Sequence, residues 1–114
     1  MSQIGYSRAL VEGEWVFVSG TTIMKTVHVR IEGRVQGVGY RAWTHRVAAG
    51  LGLSGWVRNR FDGSVEAIFQ GPSEAVGVML DRCAVGPSGA LVTNVEVVGE
   101  GVGVFEGFDV RPTA

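Results

Sequence analysis

The stretch Thr26-Val-His-Val-Arg-Ile-Glu-Gly-Arg-Val-Gln-Gly-Val-Gly-Tyr-Arg41 decides the fold of this chain. Its first six residues alternate apolar and polar side chains, which predicts a half-buried strand. A glycine-rich loop follows, from Gly33 to Gly39. From Tyr40 to Leu51 the apolar side chains recur every three to four residues, which predicts an amphipathic helix. The stretch therefore predicts a strand joined to a helix by a short loop of unusual backbone freedom.

The rest of the chain continues this alternation of elements. Gly71-Pro72 opens a second helix, because proline suits a first helical turn, and Gly86-Pro87 ends it. Further strands are predicted over residues 53–60, 64–70, 91–98 and 105–111. The order is that of an α+β, ferredoxin-like βαββαβ sandwich, with an antiparallel sheet, two helices on one face and a short C-terminal strand.

Residues 1–23 differ from this body and are interpreted as a leader extension to a domain over 24–114. Two strand-like runs, Tyr6–Val11 and Trp15–Ser19, predict a hairpin. Since an isolated hairpin is marginal in water, it has to pack on the body, pair with another chain or stay mobile. The leader stretch Ile4–Thr22 is similar to the opening hairpin of the reactive-intermediate deaminase (YjgF-like) family, and no activity is carried over from it.

Composition narrows the function classes. The chain has 114 residues, 46% of them hydrophobic and 18% charged, which suits one globular core. A net charge of −1 argues against a general binder of nucleic acid or membrane surfaces. The single cysteine, Cys83, excludes an internal disulfide and favours a reducing compartment. With no signal-peptide pattern and no apolar run near the ~20 residues of a membrane span, a cytoplasmic protein is predicted.

The loop from Gly33 to Gly39 is a candidate anion site. Its glycines let backbone N–H groups converge, and the following helix N-terminus adds unpaired donors and a positive dipole end. Arg41 lies in the first helical turn, where a cation is unfavourable for the helix unless an anion binds nearby. The alternative interpretation is a glycine-rich turn with a solvated arginine.

Asn59 is the second candidate. The right-handed crossover rule makes the first and second strands parallel, so the loop and the end of the second strand share one sheet edge. If Val57 faces the core, Asn59 faces the same way, and its amide could orient a water molecule. The alternative is that Asn59 only starts the turn before Gly63.

Two motifs carry a resemblance to a known family. The segment Ile31–Arg41 resembles the first signature of the acylphosphatase family, and Gly55–Glu66, continuing to Gly71, resembles the second. The resemblance covers about residues 24–111. At Tyr40 the family more often has phenylalanine, and the added hydroxyl needs a partner if it is buried.

The resemblance implies an enzyme that hydrolyses carboxyl phosphates to carboxylate and inorganic phosphate. It implies that Arg41 and Asn59 are catalytic, with Asn59 orienting the attacking water. It also implies a phosphate-binding set made of Arg41 and the backbone donors of Gln36, Gly37, Val38, Gly39 and Tyr40. No cofactor or metal is expected, because the two histidines and the cysteine are isolated in the sequence.

Other interpretations stay open. The main alternative is a phosphate- or anion-binding regulatory module without turnover, since one fold can host either. A domain cut from a larger maturation enzyme and a nucleic-acid role rank lower. The expected partners are a small-molecule acyl phosphate and inorganic phosphate, without nucleic acid or membrane. A monomer is expected, and a dimer formed through the leader is the alternative.

Overall fold

A computed structural model describes residues 23–114 of the chain. The predicted leader hairpin, and with it the hypothesis of a leader-mediated dimer, lies outside the described residues. The elements are β1 (Met24–Arg34), α1 (Tyr40–Gly50), β2 (Ser54–Asn59), β3 (Val65–Pro72), α2 (Ser73–Val85), β4 (Leu91–Glu100) and β5 (Phe108–Val110). This is the predicted order, with β1 extended at both ends.

The sheet has the strand order β4-β1-β3-β2-β5. Both β1 and β2 pair antiparallel with β3, so they run parallel to each other with one strand between them, as predicted. The ferredoxin-like class is confirmed. The last strand is shorter than the predicted 105–111 and pairs parallel with β2, which makes the five-stranded sheet mixed.

The helix α2 begins one residue later than predicted, and the pairing of β1 with β3 explains the difference. Pro72 was expected in the first helical turn, but the helix begins at Ser73 and Pro72 keeps an extended backbone, with φ −56° and ψ 138°. Pro72 is still paired with Met24 of β1, and this strand contact holds it out of the helix. The predicted apolar stripe is buried as expected, and consists of Val76, Met79, Leu80 and Cys83.

The core lies between one face of the sheet and both helices. Alternate residues of β1 point into it, namely Val27, Val29 and Ile31, and so do residues of α1 and α2. The opposite sheet face carries no helix among the described elements. There, the guanidinium groups of Arg58 and Arg111 each lie over the ring of Trp56, 4.8 Å from its centroid, and Trp56 is only 6% exposed. Across residues 23–114, none of the helices has the length and apolar character to cross a bilayer.

Candidate active site

The register of the sheet brings the two sequence motifs together. Val65 of β3 pairs with Ile31 on one side and with Asn59 on the other. The end of β2 and the loop that follows β1 therefore meet at the same edge of the sheet. Two strand spacings separate β1 from β2, which is about 10 Å, a span that a phosphoryl group and a water molecule can bridge.

The backbone of the loop adopts an irregular conformation that leaves N–H groups unpaired among the residues that the structure describes. Gly37 and Gly39 have positive φ values of 76° and 80°, which other residues rarely adopt. Gly39 precedes α1, no side chain caps this helix, and its first turn contains no acidic residue. The first N–H groups of α1 are thus left for a ligand, and the helix dipole favours an anion there.

Gly33 has a different role from the one expected at the start of the loop. It is part of β1 and pairs with Val92 of β4. With φ at 124°, a Cβ on Gly33 would lie 2.2 Å from the carbonyl oxygen of Leu91. Its lack of a side chain therefore serves close strand pairing, and the predicted phosphate donors are the residues from Gln36 onward.

The loop is anchored in the core at both ends. Val35 and Tyr40 are each 1% exposed. The Tyr40 hydroxyl donates a hydrogen bond of 2.7 Å to the carbonyl oxygen of Cys83, which is the partner that the sequence required for it. Burial of the hydroxyl, reinforced by Cys83, raises the pKa of Tyr40 far above its usual range. The Tyr40 side chain is structural, so only its backbone N–H remains available to a ligand.

Arg41 lies in the first turn of α1, next to this backbone. Its side chain is half-buried. Within residues 23–114 its guanidinium forms neither an ion pair nor a hydrogen bond, in contrast to Arg30, Arg58 and Arg60. A guanidinium can bind phosphate oxygens in a bidentate manner. Arg41 therefore has the position and the free donors that an anion site needs.

Asn59 is the last residue of β2 and points to the core side, as the predicted strand parity requires. Val57 is fully buried and Asn59 is 8% exposed. Its side-chain oxygen Oδ1 is buried and has no hydrogen-bond partner in the described part of the chain. Leaving a buried acceptor unpaired costs about 1–3 kcal/mol, so such a group commonly marks a place that a ligand or a water molecule completes.

Several contacts around this edge were not predicted from the sequence. The side chain of Gln36 donates to the carbonyl oxygens of Arg60 and Ser64, and the C-terminal Ala114 donates its N–H to the carbonyl of Asn59 at 3.1 Å. These partners are 24 to 55 residues apart in sequence. A local pattern carries no signal for contacts of this range.

The helix-free face next to the site holds an ion cluster centred on Glu66. The Glu66 carboxylate contacts His28 at 2.5 Å, Arg58 at 2.8 Å and Arg60 at 3.4 Å. Burial works to raise the pKa of Glu66, but the hydrogen bonds from Arg58 and His28 outweigh it and hold the pKa below its usual range. His28 thus lies on the sheet face opposite the core, as predicted. Its contact with Glu66 joins β1 to β3.

The remaining candidates for chemistry are structural or isolated. Cys83 is buried, which raises the pKa of its thiol to about 12 and keeps it protonated and inert. In the part of the chain that the structure describes, no group of three or more histidine, cysteine, aspartate or glutamate side chains is placed to hold a metal ion. The groups that stay available at this edge in the described residues are the loop backbone donors, Arg41 and Asn59, which are the residues that the sequence predicts for the site.

Comparison with known proteins shows the family and the fold of the chain. The acylphosphatase family model matches residues 27–110. The acylphosphatase of Rhodospirillum rubrum is 52% identical over 90 residues, which cover 79% of this chain and 99% of the relative. The structure of an acylphosphatase from Coxiella burnetii has a TM-score of 0.74 at 33% identity, and covers 77% of this chain and 93% of the other.

A second solved structure gives the same result. The acylphosphatase from Bacillus subtilis has a TM-score of 0.72 at 30% identity, with 78% of this chain and 99% of the other covered. The resemblance found in the two motifs, and the enzyme class that it implies, are confirmed. By its sequence over residues 27–110 and by its fold, the chain belongs to the acylphosphatase family.

Proposed function

We propose that the protein hydrolyses carboxyl-phosphate mixed anhydrides to a carboxylate and inorganic phosphate without a metal ion. The observation that carries the assignment of roles is the buried Oδ1 of Asn59, which has no hydrogen-bond partner within residues 23–114 and lies at the sheet edge that also holds the glycine loop. The membership of the chain in the acylphosphatase family supports the choice of reaction.

In this proposal the phosphoryl group binds in the loop. Backbone N–H groups from Gln36 to Tyr40 and the guanidinium of Arg41 contact its oxygens. These donors are fixed before the substrate binds, because Val35 and Tyr40 anchor the loop in the core. Phosphoryl transfer depends mainly on positioning and on stabilisation of negative charge, which this site supplies.

Asn59 orients the water molecule that attacks phosphorus. Its Oδ1 accepts a hydrogen bond from the water, so that the water oxygen faces the phosphorus atom. The new P–O bond forms as the bond to the acyl oxygen breaks, and the electron pair leaves with the carboxylate. One proton of the water passes to a phosphoryl oxygen. A carboxylate is a good leaving group, so this route needs no general acid.

The physical setting of this activity follows from the same residues. The substrate is a small-molecule acyl phosphate, and inorganic phosphate competes for the loop as the product. Both motifs come from one copy of the chain, which suits a monomeric enzyme. The lone cysteine, Cys83, suits the reducing conditions of the cytoplasm.

The test is release of phosphate from benzoyl phosphate in the presence of EDTA. Wild type is expected to be active, and Arg41→Ala and Asn59→Ala are each expected to lose about 10²-fold or more in kcat/KM. Arg41→Lys is expected to stay impaired, because an ammonium lacks the fork geometry of a guanidinium. Circular dichroism checks that each variant is folded.

Matched controls come from α1 and from another strand of the same sheet. Arg46→Ala removes an exposed arginine from α1 itself, and Asn94→Ala removes an exposed asparagine from β4. Both are expected to stay within about twofold of wild type, since surface changes away from the site have small effects. A wild type that binds phosphate but releases none would contradict the proposal and support a regulatory anion-binding module.

A further inference from the structure

The side chain of Gln36 spans the two halves of the site. Its Nε2 donates to the carbonyl oxygen of Arg60 at 2.7 Å and to that of Ser64 at 2.8 Å. Gln36 belongs to the loop that follows β1, and Arg60 is the residue directly after Asn59. One amide group therefore joins the phosphate-binding loop to the turn between β2 and β3.

These two contacts use the hydrogen-bond donors of the Gln36 side chain. Carbonyl oxygens only accept hydrogen bonds, so the group that faces them must be the NH₂ end of the amide. That group has two hydrogens, and both are used. The Gln36 side-chain nitrogen therefore has no hydrogen left to donate to a bound phosphate, and only the backbone N–H of Gln36 can serve as a ligand.

The turn does not need Gln36 to satisfy its own carbonyls. Arg60 N–H already donates to the carbonyl of Ser64 at 2.8 Å, and Gly63 N–H donates to the carbonyl of Arg60 at 3.1 Å. Gln36 adds a second donor to each acceptor. The hydrogen bonds of Gln36 therefore stabilise the position of the loop relative to the turn, and the turn itself closes without them.

A second link between β1 and this turn is an exposed ion pair, which holds the turn less firmly than the Gln36 hydrogen bonds. The Arg30 guanidinium contacts the Asp62 carboxylate at 2.8 Å, but both side chains are more than 40% exposed. Exposed ion pairs of this type contribute little and are screened by salt. The Gln36 contacts are half-buried and uncharged, so they hold the geometry independently of ionic strength.

We propose that Gln36 is a positioning residue, whose side chain sets the distance between the phosphate-binding loop and Asn59. This inference rests on the proposed function, in which the loop holds the phosphoryl group and Asn59 holds the water. A misplacement of about 1 Å between reacting groups can lower a rate by about 10²-fold. Loss of Gln36 should then slow the attack while leaving the phosphate donors in place.

The experiment compares Gln36→Met with Gln70→Met. Gln70 is a matched control, since it is also half-buried and its Nε2 also donates two hydrogen bonds, to Thr26 and Gly103, at 3.0 and 2.8 Å. It lies on β3 at the other end of the sheet. For each variant we would measure kcat with benzoyl phosphate, the inhibition constant of inorganic phosphate, and Tm.

Gln36→Met is expected to lose about 10- to 100-fold in kcat, with the inhibition constant of phosphate within about threefold of wild type. Gln70→Met is expected to lower Tm by a similar amount and to leave kcat within about twofold. In the Asn59→Ala background, Gln36→Met should lower kcat by less than threefold, because two residues that act through one water are not additive. Gln36→Glu keeps the shape of the side chain and guards against a packing defect in the methionine variant. It removes both donors but also adds a carboxylate charge beside the loop, so it should lose kcat and weaken inhibition by phosphate as well.

The opposite outcomes are distinct from one another. An unchanged kcat in Gln36→Met and Gln36→Glu, on an active wild type, would overturn the positioning role alone. So would a phosphate inhibition constant that rises in Gln36→Met as much as its kcat falls, or full multiplicative losses in the double variant Gln36→Met with Asn59→Ala. A wild type without phosphate release would overturn the proposed function and this inference with it.

Discussion

At the scale of single residues, the side chain of Asn59 faces the core side of the sheet, as the sequence predicts. Its place on the core side follows from the alternation of β2, in which Val57 and Asn59 share a face. The alternative, a turn-starting asparagine, is compatible with its position but does not explain a buried Oδ1 without a partner in residues 23–114. Burial here leaves an acceptor that a substrate-bound water can satisfy.

Tyr40 gives a prediction at the same scale. Its hydroxyl points to the carbonyl of Cys83 on α2 and away from the ligand side of the loop. Tyr40→Phe is therefore expected to lower the free energy of unfolding by about 1 kcal/mol, which is typical for one lost hydrogen bond, with kcat unchanged. Urea unfolding and the benzoyl phosphate assay measure the two effects. A loss of kcat as large as that of Arg41→Ala would show that the hydroxyl also serves the site.

At the scale of elements, the glycines of this chain fall into two physical groups. At Gly37 and Gly39 the φ values are positive, but an added Cβ would meet nothing within 4 Å. At Gly33 and Gly55 the φ values are also positive, and an added Cβ would lie 2.2 and 1.9 Å from a carbonyl oxygen of the neighbouring strand. The first group shapes the loop, and the second allows strands to approach.

Alanine substitutions should separate these groups. Gly37→Ala is expected to lower the free energy of unfolding by about 1–2 kcal/mol, the cost of a left-handed backbone at a residue with a Cβ. Gly55→Ala adds a clash with the Ile68 carbonyl and is expected to lose about 3 kcal/mol or more, or to prevent folding. Urea unfolding curves measure both. Equal losses of unfolding free energy in the two variants would mean that the strands move apart and relieve the clash between the new Cβ and the Ile68 carbonyl.

At the scale of the whole molecule, the ion cluster holds together the strands of the helix-free sheet face. Glu66 is on β3, His28 is on β1, Arg58 is on β2, and Arg60 directly follows β2. The helices pack on the other face through the core, and on this face the cluster lies next to Trp56 with Arg58 and Arg111 over its ring. A largely buried carboxylate that contacts two guanidinium groups makes the stability of the fold depend on pH.

The sign of this dependence follows from the lowered pKa of Glu66. The unfolded chain, with a carboxyl pKa near 4.5, takes up the proton first as the pH falls. The contribution of Glu66 to stability is therefore present above about pH 4.5 and is lost as the pH falls through the lower pKa of the folded state.

The matching variant is Glu66→Gln. It is expected to be less stable than wild type at pH 7, and the difference in the free energy of unfolding should shrink below about pH 4.5. Glu106→Gln, at an exposed position, is the control and should follow the wild-type profile. Urea unfolding at a series of pH values measures the three proteins. A Glu66→Gln difference that stays constant from pH 7 to pH 3 would rule out this source of pH dependence.

The sequence determined the order of elements, the strand parity of Asn59 and the position of Arg41 in the first turn of α1. All three depend on local periodicity and on turn residues, so they can be read from neighbours along the chain. The right-handed crossover rule added one non-local result, that β1 and β2 run parallel and end at one edge. The family signatures supplied the chemistry assigned to that edge.

Tertiary structure alone decided how the site is held together. The contacts of Gln36 with Arg60 and Ser64, of Tyr40 with Cys83 and of His28 with Glu66 join residues that are 24 to 43 positions apart. The sequence pattern places Gly33 in the loop, whereas its role in β1 depends on the carbonyl of Leu91 in a strand that is distant in sequence. Such contacts exist only once the sheet register is fixed. Local patterns describe one element at a time, and the register that joins two elements is a property of the packed core.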